Sequence, residues 1–212
     1  MNGTHTRKAT IEAKSGVLLL GDPCYTLFEA DTLTDSLSIT SFADVVERIE
    51  RRTKMEELPF FGNNAGMIFK VRPGTMFAEA TTRGNRTFGL KVEAAVGTAH
   101  VTNMLAGTVF NDAGLMMFSD PKVTMGKLDP EVWGTEWSGG CAKSEDGNTF
   151  CDKLQAKDTP GEATFFELAG TLSTCTGWGD GEYEVWVAVD EDGFVQSVEI
   201  SFDDRDDGEE DA

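Results

Sequence analysis

Two nine-residue stretches of this chain follow one plan. Ser15-Gly16-Val17-Leu18-Leu19-Leu20-Gly21-Asp22-Pro23 and Ala113-Gly114-Leu115-Met116-Met117-Phe118-Ser119-Asp120-Pro121 each run small residue, glycine, four apolar residues, small residue, Asp-Pro. The aspartates stand 98 positions apart (120 − 22), near half of the 212-residue length. Four apolar residues in succession predict a strand buried on both faces, and proline, with no N–H for a ladder, ends each strand where it stands. An aspartate at a strand exit can accept backbone N–H bonds of the next turn. Pseudo-symmetric central strands could also bring Asp22 and Asp120 together as a carboxylate pair that holds a hard cation or shares a proton. The residues alone leave both readings open.

Most of the remaining chain consists of short β-branched and aromatic runs punctuated by glycine: Val17 to Leu20, Met67 to Val71, Met76 to Thr81, Thr87 to Val92, Thr98 to Val101, Leu115 to Phe118, Thr164 to Leu172, Tyr183 to Val189 and Val195 to Phe202. This pattern predicts a mainly β chain, a β-sandwich or barrel-like single domain over residues 1–202. Asp190-Glu191-Asp192-Gly193 should turn the last two strands into a hairpin. One segment has helical period: Phe42, Val45, Val46 and Ile49 follow Ser41-x-x-Asp44, predicting one peripheral helix from Phe42 to Glu57, stopped by Pro59. Its basic cluster, Arg48, Arg51, Arg52 and Lys54, reads as internal pairing with Glu47 and Glu50 or as a docking patch. Gly134 to Gly161, rich in Gly, Ser, Asp, Lys and Thr, reads as a long surface loop.

Charge limits the partners. With 37 acidic and 18 basic residues the formal charge is −19, which opposes direct binding to nucleic acid and to anionic membrane surfaces. A protein partner or a small cationic ligand fits better. Seven acids against Arg205 in residues 203–212 make an acidic, disordered tail, yet the body remains at −13 without it. The N-terminus has no apolar leader core and no stretch approaches the ~20 apolar residues of a membrane span, so the expected location is cytoplasmic. In that compartment Cys24, Cys141, Cys151 and Cys175 should be reduced thiols.

A third motif, Thr174-Cys175-Thr176-Gly177-Trp178-Gly179-Asp180-Gly181-Glu182-Tyr183, lies between two predicted strands. Its alternating glycines suit an anion-binding nest or a tight turn that places Trp178 and Tyr183. The strand that follows excludes a dinucleotide-binding loop, which needs a helix there. Gly21-Asp22-Pro23-Cys24-Tyr25, then Asp112-x-Gly114 with Asp120-Pro121, then Gly177-Trp178-Gly179-Asp180-Gly181-x-Tyr183-x-Val185-Trp186, occur in an order that resembles a bacterial and phage family carrying a domain of unknown function. The resemblance implies a β-rich fold and brings no activity, catalytic residue or cofactor with it.

Other chemistry is sparse in the sequence. His5 and His100 have no ligand partner at metal spacing, the cysteines form no C-x-x-C pair for a four-thiolate zinc site, and no phosphate-binding or nucleophile-elbow motif occurs. The resulting expectation is a small non-enzymatic binding or accessory protein. Its ligand face would combine Asp22, Cys24, Tyr25, Asp120, Trp178, Asp180 and Tyr183, with no resident metal expected and the cofactor and any catalytic residue unknown. The alternatives are a metal-assisted hydrolase using Asp22, Asp120 and Asp180, and an acidic mimic of nucleic acid.

Overall fold

The computed structural model describes residues 4–23, 59–63, 66–83, 86–98, 100–127, 137–138, 141–142, 148, 150–157, 165–177 and 179–202. The helix expected from Phe42 to Glu57 and the acidic tail lie outside them. The described strands are β1 (Thr4–Ala13), β2 (Val17–Gly21), β3 (Phe60–Asn63), β4 (Gly66–Lys70), β5 (Gly74–Arg83), β6 (Arg86–Ala94), β7 (Val101–Asn111), β8 (Leu115–Ser119), β9 (Trp137–Ser138), β10 (Cys141–Ala142), β11 (Phe165–Leu168), β12 (Thr171–Cys175), β13 (Gly181–Asp190) and β14 (Val195–Ser201). Two short helices accompany them, α1 (Pro121–Lys127) and α2 (Phe150–Gln155).

These strands form two antiparallel six-stranded sheets, in the orders β1-β5-β6-β14-β13-β7 and β11-β12-β8-β2-β4-β3, with β9 and β10 as a separate pair. The fold is mainly β and sandwich-like. Leu18, Leu20, Phe69, Met116 and Phe118 of the second sheet meet Ile11, Ala78, Leu90, Val92, Val185 and Val198 of the first in the main core. Val17, Leu19, Ile68, Leu115 and Met117 point the other way, into a second cluster closed by Phe150 and Leu154 of α2. The continuous apolar runs of β2 and β8 therefore are buried on both faces, as their composition requires. In β5 exposed and buried residues alternate, so the outer face of the first sheet meets solvent.

Both helices were unforeseen. Asp120 caps α1 and Pro121 opens it, where a missing N–H costs nothing, so the Asp-Pro that ends β8 also starts a helix. Within the segment expected as a loop, α2 buries Phe150 and Leu154, a single i,i+4 pair too short to show a period. Thr164 to Leu172, expected as one strand, divides into β11 and β12 at Ala169-Gly170, both with positive φ as a two-residue hairpin turn demands.

The duplication extends well beyond nine residues. An offset of 98 carries β2 onto β8 (115 − 17), 105 carries β3 and β4 onto β11 and β12 (165 − 60, 171 − 66), and 107 carries β5 onto β13 (181 − 74). Exchanging the halves reverses each sheet order and leaves it unchanged. Leu20 pairs with Phe118, its own counterpart, and the flanking pairs Leu19–Ser119 and Gly21–Met117 exchange about it. Leu90–Ile200 and Val92–Val198 exchange about Lys91–Glu199 in the same way. A pseudo-dyad thus passes through both sheets. One departure from it is a bulge in β7, where Val185 faces Gly107 and Trp186 faces Leu105, leaving Ala106 without an opposite residue.

An ion pair between the exposed Arg72 and the buried Asp190 ties the halves near the β13–β14 turn. Arg72, between β4 and β5, donates from Nε and Nη2 to Asp190 Oδ2 at 3.2 and 3.0 Å, and its guanidinium lies 4.5 Å from the Phe194 ring centre. The backbone N–H groups of Asp192 and Phe194 donate to Asp190 Oδ1, and Gln196 Nε2 donates to Oδ2 at 2.7 Å. Burial pushes the Asp190 carboxyl up, but the Phe194 N–H and the Arg72 guanidinium outweigh it and hold the group below its ordinary value. A depressed folded-state value stabilises the protein above the unfolded value and is lost as pH falls through the folded one. Resistance of the native protein to urea should therefore weaken below about pH 4, and Asp190→Asn should flatten that acid limb while lowering stability at pH 7.

Candidate functional site

Each aspartate of the duplicated motif clasps the opposite half. Asp22, leaving β2, accepts the N–H groups of Asp112 and Ala113 at 2.8 and 2.7 Å, in the turn that leads into β8. Asp120, leaving β8, accepts the N–H of Ser15 at 2.7 Å, in the turn that leads into β2. Ser15 and Ala113 are counterparts, so the two clasps are one interaction repeated by the dyad. Gly16 and Gly114, each with φ in the left-handed region, turn the chain beside them, and their carbonyls accept the N–H groups of Val71 and Thr176. Asp120 also accepts Lys122 and Val123 N–H at 2.9 and 3.3 Å as the cap of α1. Both carboxylates are fully buried.

The geometry separates the expected carboxylate pair. Continuing the β2–β8 register past Gly21–Met117 sets Asp22 opposite Met116, four residues from Asp120. At ~3.3 Å per residue that is about 13 Å, too far for two carboxylates to share one cation at metal–oxygen distances of about 2.0–2.6 Å. Among the described residues no three His, Cys, Asp or Glu side chains come together as a metal site. The antiparallel pairing of β2 with β8 puts the two strand exits at opposite ends of the ladder.

Asp22 does share its end of the sandwich with the glycine motif. Thr176 N–H bonds to Gly114, Thr176 Oγ1 and Tyr183 Oη both donate to the Gly179 carbonyl at 2.8 and 2.9 Å, and Gly179 backs onto Gly114. A methyl on Gly177 would overlap the Thr87 carbonyl oxygen, which explains a glycine at that point. Tyr183 is buried in the core, edge-on to Phe202 with ring centres 5.0 Å apart, and Asp180 is exposed on the turn. Cys24, Tyr25 and Trp178 lie outside the described residues. Of the candidate face, the structure thus places Asp22, Asp180 and Tyr183 at one end and Asp120 at the other.

Three features escaped the sequence reading. Asn111, buried beside the Asp22 clasp, donates to the Leu115 carbonyl while its Oδ1 has no partner. Nothing in its neighbours marks it out. Exposed apolar side chains lie on the outer face of β7 and β13, Trp186 (45% exposed) beside Leu105 (46%), and Phe110 (39%) four register positions along the ladder. Glu182 stands opposite Phe110, Glu199 opposite Trp186, and Trp186 Nε1 donates to Glu184 at 3.0 Å. The third is the state of the cysteines: Cys175 is outside any disulfide, as expected, but Cys151 is disulfide-bonded.

Comparison with protein-family models, with curated proteins and with solved structures finds no match. The class of molecule is defined by its architecture, a two-sheet β-sandwich duplicated about an internal dyad. No helix among the described residues is long and apolar enough to cross a membrane.

Asp120→Ala should lower unfolding free energy by about 2–4 kcal/mol in urea melts, because a buried N–H in the other half and a helix cap lose their charged acceptor together. Asp22→Ala should cost about 2–3 kcal/mol and speed amide exchange at Asp112 and Ala113. Peptide mapping of the unreduced, alkylated chain should recover the Cys151 peptide cross-linked and the Cys175 peptide alkylated.

Proposed function

We propose that this chain is a small binding or accessory protein that works by contact, and that it receives a cationic segment of a protein partner on the outer face of β7 and β13. The observation that carries this reading is the patch of Trp186, Leu105 and Phe110 framed by Glu182, Glu184 and Glu199. Large exposed aromatic and apolar side chains on one face supply contact area, and a cation over an indole or phenyl face gains further from the surrounding carboxylates. The net charge of −19 would draw such a partner in. The resemblance to a bacterial and phage family agrees with the β-rich fold and adds no activity to it.

The two aspartates with the strongest sequence signal support contact over chemistry, since Asp22 Oδ2 and both oxygens of Asp120 accept backbone N–H groups. A phosphate-like track is not apparent along the central row of the outer face, where Lys8, Glu79, Lys91 and Glu199 alternate in sign. That alternation weakens the reading as a nucleic-acid mimic.

Calorimetric titration of the full chain with a Lys/Arg-rich extended peptide tests the proposal, with an equally long neutral peptide as control. Trp186→Ala should weaken binding about tenfold or more with an unchanged unfolding midpoint, as removal of an interface aromatic does. Glu184→Gln with Glu199→Gln should reduce its salt dependence. Equal affinity for the two peptides, or no effect of Trp186→Ala, would sink it.

A further inference from the structure

The duplication provides an internal control for function. Each end of the sandwich has a mouth where an edge strand of the first sheet overhangs an edge strand of the second: β1 over β11, and β7 over β3. The two mouths are built from counterpart residues. Phe165 and Leu172 at the first correspond to Phe60 and Met67 at the second (165 − 60, 172 − 67), and all four belong to or pack on the main core. Arg7 pairs with Ala80 and Met104 with Val187, which are counterparts (187 − 80), so Arg7 and Met104 occupy the same place.

At that place the halves part company. Met104 is partly buried and packs its apolar side chain against the core. Arg7 faces the same inward side, since its opposite residue Ala80 is fully buried, yet it remains exposed. Beneath it a cleft of about 640 Å³ opens, lined by residues 6–10 of β1 with Phe165, Phe166, Glu167 and Leu172. Its other charges are engaged: Lys8 with Glu79 at 3.2 Å, and Glu167 with Lys127 at 3.4 Å. Among the described residues Arg7 has no carboxylate partner, in a chain with 37 acids.

We propose that the β1–β11 mouth is a binding site for an extended peptide carrying a carboxylate side chain, held by Arg7. Two observations fix that chemistry. The guanidinium is a planar fork suited to a carboxylate, and Phe165 and Leu172 give an apolar floor for the methylene stem of that same side chain. Both walls are sheet edges, β1 ending one sheet and β11 the other, so an extended backbone can pair as an added strand. An inward-facing charge can also serve only to discourage edge pairing, and the experiment separates that role from recognition. The site lies on a different strand pair from the Trp186 patch and has the opposite polarity, so either proposal can fail alone.

The probe is a fluorescein-labelled seven-residue peptide of alternating Val and Glu, capped at both ends, titrated into the full chain in 0.15 M salt, where the remaining net charge is screened beyond ~8 Å. A peptide with Gln for Glu is the control. The acidic peptide should bind at least about tenfold more tightly than the control, and Arg7→Met, which copies the twin position, should abolish that preference. Arg7→Lys should restore part of it, whereas Trp186→Ala should leave it intact. Equal binding of the two peptides, or an unchanged preference in Arg7→Met, overturns the proposal. So does acidic-peptide binding only by a chain cut after Phe202, which would assign the cleft to the protein's own acidic tail. A concentration-dependent dimer lost in Arg7→Met, with no peptide binding, would assign it to a second copy.

Discussion

The structure depends on a reciprocal clasp in which each half supplies a buried carboxylate and receives one. Asp22 holds the turn before β8 and Asp120 holds the turn before β2, by bonds of equal length to counterpart residues. A carboxylate removed from water is destabilising unless its oxygens are met by donors, and here backbone N–H groups at turns meet them. The same contacts satisfy amides that these turns would otherwise leave without protein acceptors. The arrangement needs both halves at once. Neither half can form its part of the clasp alone, so the clasp couples formation of one half to formation of the other.

That coupling explains the shape of the two cores. The dyad passes through Leu20–Phe118 in one sheet and Lys91–Glu199 in the other, so the centre of each sheet is a junction of halves. In the inner sheet the junction is apolar and covered on both faces, and in the outer sheet it is a charged pair facing solvent. Arg72 and Asp190 add a third tie without a counterpart, since the position matching Asp190 is Arg83 (190 − 107). A duplicated fold is free to vary wherever the clasp does not reach.

Legibility in the sequence followed the same division. The ends of the β2 and β8 strands and the β13–β14 hairpin were readable because a buried strand needs an unbroken apolar run and Asp-Pro marks its end. β1 was not, since Thr4, His5, Thr6, Arg7 and Lys8 at an open edge have no inward apolar face to alternate with. Most of β7 was missed for a related reason: Gly107 and the bulged Ala106 interrupt its period. The aspartates could be placed in turns, but pairing direction decides whether two strand exits are neighbours. Antiparallel pairing set them at opposite ends, and no property of either nine-residue motif encodes that direction. The β7–β13 patch was hidden because Leu105, Phe110 and Trp186 look like core residues in sequence, and only the sheet order shows that they face outward.

The two halves thus separate what the fold requires from what it permits. Residues that recur at counterpart positions, such as Gly16 with Gly114, Asp22 with Asp120, and Phe60 with Phe165, are accounted for by one clasp, one turn and one core contact repeated. Residues that break the repeat have no such account. Arg7 in place of Met104 forgoes apolar contact at the core's edge, and Trp186 in place of Glu79 exposes an indole where the twin position carries a charge (186 − 79). Each substitution departs from the bland solution that the other half demonstrates to be compatible with the fold. Selection for stability alone would not favour the departures, and that asymmetry makes these two positions, more than the prominent aspartates, the places where binding should be sought.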